Sequence, residues 1–106
     1  MDKQALIGEL KAMFESQTKE RRYSRVWLTD TDFGGLYDSG TYVLNIKAEH
    51  HLDECNSEIR HVIEVLSDKL PQEKGSLIRT VKIYNAEDEI HCQREDIVLY
   101  GAVLCD

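Results

Sequence analysis

TYVLNIKAEHHLDECNSEIRHVIEVLSDKL, residues 41–70, decides the fold, because its apolar spacing changes partway along. From Thr41 to Ile46 β-branched and aromatic residues dominate, as they do in strands. Tyr42, Leu44 and Ile46 alternate with Val43, Asn45 and Lys47, which predicts one buried face and one wet face. From Leu52 the rhythm becomes three and four: Cys55, Ile59, Val62, Ile63, Leu66 and Leu70 share one side of a helix. Glu54, Glu58, His61 and Asp68 fall mainly off that stripe. Asp53 is placed to cap the helix, and Pro71 stops it soon after Leu70.

Upstream, Leu6, Ile7, Leu10, Met13 and Phe14 predict an amphipathic helix over about residues 3–18, with Asp2 as its cap and Gly8 weakening it. Lys19, Arg21 and Arg22 suit the electrostatics of its C-terminus. Val26 to Thr29 reads as a strand. It pairs with the strand from Thr41 through a long hairpin tip, Thr31 to Gly40, marked by glycines, aspartates and a serine. Downstream, Leu77 to Tyr84 predicts a strand and Asn85 to Glu89 an acidic turn. Ile90, His91 and Cys92 suggest a short edge strand. Ile97 to Leu104, the most apolar segment, reads as a central strand covered on both faces.

The order is therefore α-β-β-α-β-β. It predicts an α+β two-layer sandwich, a single domain over residues 1–106, with two helices on one face of a mostly antiparallel sheet of four to five strands. That layout hosts many unrelated functions and licenses none of them.

Composition narrows the class. The chain has 106 residues, 42% of them hydrophobic, with one proline and six glycines, which excludes wholesale disorder and fibrous architectures. Its longest apolar run, Ile97 to Cys105, has nine residues, against roughly 20 for a membrane-spanning helix. No secretory signal follows Met1-Asp2-Lys3-Gln4, and the three cysteines, Cys55, Cys92 and Cys105, show no CxxC spacing. Reduced thiols in a cytoplasm are the expectation.

The net charge of −7 is uneven: residues 1–25 carry +2, residues 26–75 carry −6 and residues 76–106 carry −3. An acidic body repels phosphate backbones and attracts basic partners. The one basic cluster, Lys19, Arg21, Arg22 and Arg25 around Tyr23, reads as a solvated helix end.

The hairpin tip holds the candidate site. Phe33, Leu36 and Tyr37 stand among Asp30, Asp32 and Asp38, and aromatic anchors ringed by polar groups are what protein interfaces use. Asp30, Asp32, Gly35 and Asp38 also match part of a calcium-loop spacing. Gly34 and Thr41 stand where that loop needs oxygen-bearing side chains, and the flanks are strands. His50, His51, Cys55 and His61 lack partner ligands for zinc, and Cys55 sits on the apolar stripe. His91 and Cys92 are adjacent on a strand and point to opposite faces, so they make no nucleophile–base pair. No phosphate cradle or nucleophile elbow is present.

The resulting expectation is a small acidic binding module, not an enzyme and without a cofactor. It docks on another protein with a basic surface, such as a nucleic-acid-handling protein, and regulates or inhibits it. No direct contact with nucleic acid or membrane is expected. Two alternatives are a self-associating homodimer and a divalent-metal protein using Asp30, Asp32 and Asp38.

Overall fold

A computed structural model describes residues 3–15, 23–30, 40–70, 72, 76–90 and 96–101. The elements run α1 (Lys3–Glu15), β1 (Tyr23–Asp30), β2 (Tyr42–Ala48), α2 (Cys55–Lys69), β3 (Ile78–Tyr84) and β4 (Ile97–Tyr100). This is the expected α-β-β-α-β-β order, and the class is α+β.

The four strands form one sheet in the order β3-β2-β1-β4. β1 pairs antiparallel with both β2 and β4, while β2 and β3 run parallel. The sheet is thus mixed. Parallel neighbours need a long crossover, and α2 supplies it between β2 and β3. Tyr42 N–H donates to Leu77 O at 2.7 Å where the crossover returns to the sheet.

One sheet face carries the core. Leu6, Ile7, Leu10, Met13 and Phe14 of α1 and Val62 and Leu66 of α2 close over Val26, Leu28, Leu44, Ile46 and Leu99 in a single cluster. The alternation read from Tyr42, Leu44 and Ile46 places all three in it. α2 ends as anticipated at Leu70, whose N–H donates to Leu66 O at 2.8 Å. Its N-cap is Glu54 rather than Asp53, with no side-chain cap bond.

Several expectations are corrected. The segment from Ile97 is an edge strand, not a central one, and it pairs with β1 alone among the described strands. Its Leu99 owes its burial to the α1 side of the core rather than to a neighbouring strand on each flank. Ile90 belongs to no strand; the other two residues of that expected strand, His91 and Cys92, lie outside the described residues. On α2, Ile63 is 47% exposed although it falls on the apolar stripe, whereas Glu58 is buried although it falls off it. The face of α2 turned to the core therefore includes Glu58, which has a buried hydrogen-bond donor there. Tyr23 OH donates to Glu58 Oε1 at 2.7 Å.

Gly101 closes β4 with φ +77, and a Cβ there would meet Ser24 O at 2.1 Å. Gly101→Ala is expected to destabilise by about 1–3 kcal/mol from its backbone conformation, before the clash is added. Gly8, exposed within α1, has nothing within 4 Å of an added Cβ. Gly8→Ala is expected to stabilise by roughly 0.5–1 kcal/mol through helix propensity. Thermal melts of the two variants should move in opposite directions.

Candidate functional site

The second sheet face differs from the wet surface expected of it. Neither helix packs on it among the described residues, yet Trp27 is 3% exposed and Asn45 4%. The two lie side by side, because Trp27 pairs with Asn45 across β1 and β2. Tyr84, at the end of β3, stacks on Trp27 with ring centroids 5.6 Å apart and planes 20° from parallel. After Tyr84 the chain leaves one edge of the sheet, and it resumes as β4 at the other edge. Residues from both ends of this connection line the second face: Glu89 and Ile90 after β3, and Asp96 just before β4.

These groups enclose a cleft of about 240 Å³, lined by Trp27, Thr29, Asp30, Asn45, Lys82 and Tyr84 together with Glu89, Ile90 and Asp96. Asn45 forms its floor. Nδ2 donates to Trp27 O at 3.3 Å, Val43 O at 3.2 Å and Thr29 Oγ1 at 3.1 Å. Two of those acceptors are backbone carbonyls, which fixes the amide orientation: the nitrogen faces the sheet and the oxygen faces away. Thr29 Oγ1 in turn donates to Asp96 Oδ1 at 3.1 Å. A relay therefore runs from β2 through β1 to the residue that opens β4.

Charge is concentrated at the rim. Among the described residues the charged side chains that line the cleft are Asp30, Glu89, Asp96 and Lys82. Burial raises the Tyr84 phenol pKa above its ordinary value of 10.0, and the Asp88 and Asp96 carboxylates add to the rise. The unfolded chain therefore ionises this tyrosine first. Its contribution to stability is intact below pH about 10 and is lost as pH rises through the higher folded value. Tyr84→Phe is expected to flatten the alkaline decline of the unfolding free energy. An unchanged slope between pH 9 and 11.5 would contradict that assignment.

The turn that follows β3 is anchored at Asn85. Asn85 Oδ1 accepts from Leu52 N–H at 2.6 Å, and Asn85 Nδ2 donates to Leu52 O at 3.0 Å. Asn85 N–H donates to Asp88 Oδ2 at 2.7 Å. His51 pairs with Glu87 beside the same turn. The acidic turn anticipated from Asn85 to Glu89 is thus a fixed element.

Of the residues predicted for the site, Asp30 closes β1 and lines the cleft. Asp32, Phe33, Leu36, Tyr37 and Asp38 lie outside the described residues, and with them most of the tip and of the calcium-type spacing. Among the described residues no group of three or more histidine, cysteine or acidic side chains is placed to hold a metal. Cys55 is half-buried, with its Sγ 3.8 Å from Asn85 Nδ2. Tyr23 turns inward to Glu58 rather than standing in a solvated basic cluster. No described helix is long and apolar enough to cross a membrane.

Sequence reading missed Trp27, Asn45, Tyr84 and Asp96 as partners. They come from four separate segments and meet only through strand register. The available signal was a lone tryptophan facing an asparagine on the supposedly wet side of a hairpin. The chain matches no family model, no curated protein and no solved structure.

Proposed function

We propose that this protein is a non-enzymatic binding module that docks the helix-free face of its sheet on a basic surface of another protein and thereby regulates it. The observation that carries the reading is the cleft beside Asp30, where the described lining residues include three carboxylates and one ammonium around a floor of buried Trp27 and Asn45. Asp30 is also the residue after which the aromatic and acidic segment 31–39 begins in the sequence. Such a surface, on a chain of net charge −7, attracts a basic partner and repels phosphate backbones. Interfaces of this kind place a desolvated aromatic centre inside a polar rim.

Affinity capture from lysate tests it with two charge variants. One neutralises the cleft rim through Asp30→Asn and Glu89→Gln. The other neutralises exposed carboxylates on α2 through Glu64→Gln and Asp68→Asn. A stoichiometric basic partner retained by the wild type and the α2 variant, weakened by added salt and lost from the cleft variant, is the expected result. Equal retention by both variants would overturn the assignment to this face.

Self-association is the second reading. β3 is an edge strand, and Ile63, the exposed large apolar side chain of the described residues, flanks a groove between α2 and β3 lined by Leu66, Leu70, Ile78 and Val81. Edge pairing with a second copy would extend the sheet. A mass by light scattering equal to one chain at high concentration would exclude it.

A further inference from the structure

We infer that the edge of β3 and the groove beside it take an extended acidic segment of another protein, which pairs with β3 as an added strand. This goes beyond the docking reading, which uses the helix-free face, and it gives the groove a different occupant from a second copy. β3 ends the sheet on one side, pairing with β2 and with no other described strand. No backbone group of Ile78 to Tyr84 bonds to a turn, loop or cap among the described residues. The outward N–H and C=O groups of the strand are therefore a template for another chain.

The groove has α2 as its other wall. Ile63, Leu66 and Leu70, spaced to lie on one side of the helix, line it together with Ile78 and Val81 of β3. An extended segment is held twice in such a place: main-chain hydrogen bonds join it to the edge, and every second side chain enters the groove. The volume, about 570 Å³, lies within the roughly 300–1,000 Å³ of sites that take a whole ligand, so several side chains fit. Charge selects the occupant. β3 carries Arg79 and Lys82 and no acidic residue, in a chain of net charge −7. Ile78 and Thr80 pair with consecutive residues of β2, which makes Arg79 the extra residue of a bulge, and bulges re-aim side chains. Arg79 is the charged group of the described groove lining, exposed and in no ion pair among the described residues. The α2 carboxylates Glu64 and Asp68 line the neighbouring hollow instead. Bulges and charges on an edge deter indiscriminate pairing. Two copies of β3 would set the cations of one strand against those of the other, with no carboxylate in either. A segment that alternates apolar and acidic residues meets no such penalty and supplies the carboxylate that Arg79 lacks.

The test titrates the intact protein with a hexapeptide alternating valine and glutamate, and with its valine–lysine counterpart. The backbone amide resonances of β3 report on the edge, and the methyl resonances of Ile63 report on the groove. A saturable response of both to the glutamate peptide, with a Kd on the order of 0.1–1 mM, is expected for a ligand of this size. The lysine peptide should bind at least about fivefold more weakly. Arg79→Glu, at an exposed position, should reverse that preference. Successive N–H groups of an extended peptide point to opposite edges, so N-methylation of the valines or of the glutamates blocks one edge at a time. One methylated peptide should bind and the other fail.

Resonances of β3 unmoved to about 5 mM, equal responses to the two peptides, an unchanged preference in Arg79→Glu, or equal binding of the two methylated forms would overturn the assignment. So would a mass of two chains by light scattering whose dissociation on dilution shifts the same β3 amides, because the edge then belongs to a second copy. The docking reading stands or falls separately, on the cleft variants and their captured partner.

Discussion

Trp27→Ala is expected to lower the unfolding free energy by about 3–5 kcal/mol, the range for removing a large buried aromatic. The side chain is 3% exposed and stacked on Tyr84, and it lies over the sheet beside Asn45 rather than in the cluster beneath the helices. Its loss removes the wall against which the cleft is built, so the second face loses its packing as well as its area. For a domain whose total stability is about 5–15 kcal/mol, this is a large fraction. Trp27→Phe keeps a ring for Tyr84 to stack on and should lose markedly less. Because the variant has no tryptophan, denaturant unfolding followed by circular dichroism is the suitable measurement. A loss below about 1 kcal/mol would mean that this face does not pack as described.

The contrast between the two sheet faces explains what could be read from the sequence. The helix-covered face follows from local periodicity: Leu6, Leu10, Val62, Leu66, Leu44 and Ile46 occupy the positions that spacing of two or of three and four selects. The second face depends on non-local events. Asn45 looks like a solvent residue in its own strand, and it is buried because register sets it against Trp27. Tyr84 reaches Trp27 only because β3 joins β2 in parallel, which strand propensity cannot specify. Apolarity misplaced Ile97 to Leu104 for a related reason. A run of apolar residues reports burial, and Leu99, the buried residue of β4, is buried by packing under α1 rather than by a strand on each side. The site reading followed the chain outward from Asp30, whereas the cleft that Asp30 lines is assembled across the sheet from separate strands.

Glu58 carries the same lesson in energetic terms, and Tyr23→Phe measures it. Tyr23 and Glu58 are 6% and 7% exposed, and the phenol donates to the carboxylate at 2.7 Å. The substitution leaves the ring, and with it the edge-on contact to Phe14 at 6.0 Å and 74°. It removes only the donor, so a buried carboxyl group loses a hydrogen bond, at a cost of about 1–3 kcal/mol. Glu58→Leu removes the acceptor and adds apolar volume under the sheet. In the double variant Tyr23→Phe/Glu58→Leu neither polar group remains, and replacing both partners of a buried pair by apolar groups is often near neutral. The double variant is therefore expected to be more stable than Tyr23→Phe alone. A double-mutant cycle by denaturant unfolding should give a coupling of about 1–3 kcal/mol. Strictly additive losses would mean that the Tyr23–Glu58 hydrogen bond adds nothing to stability.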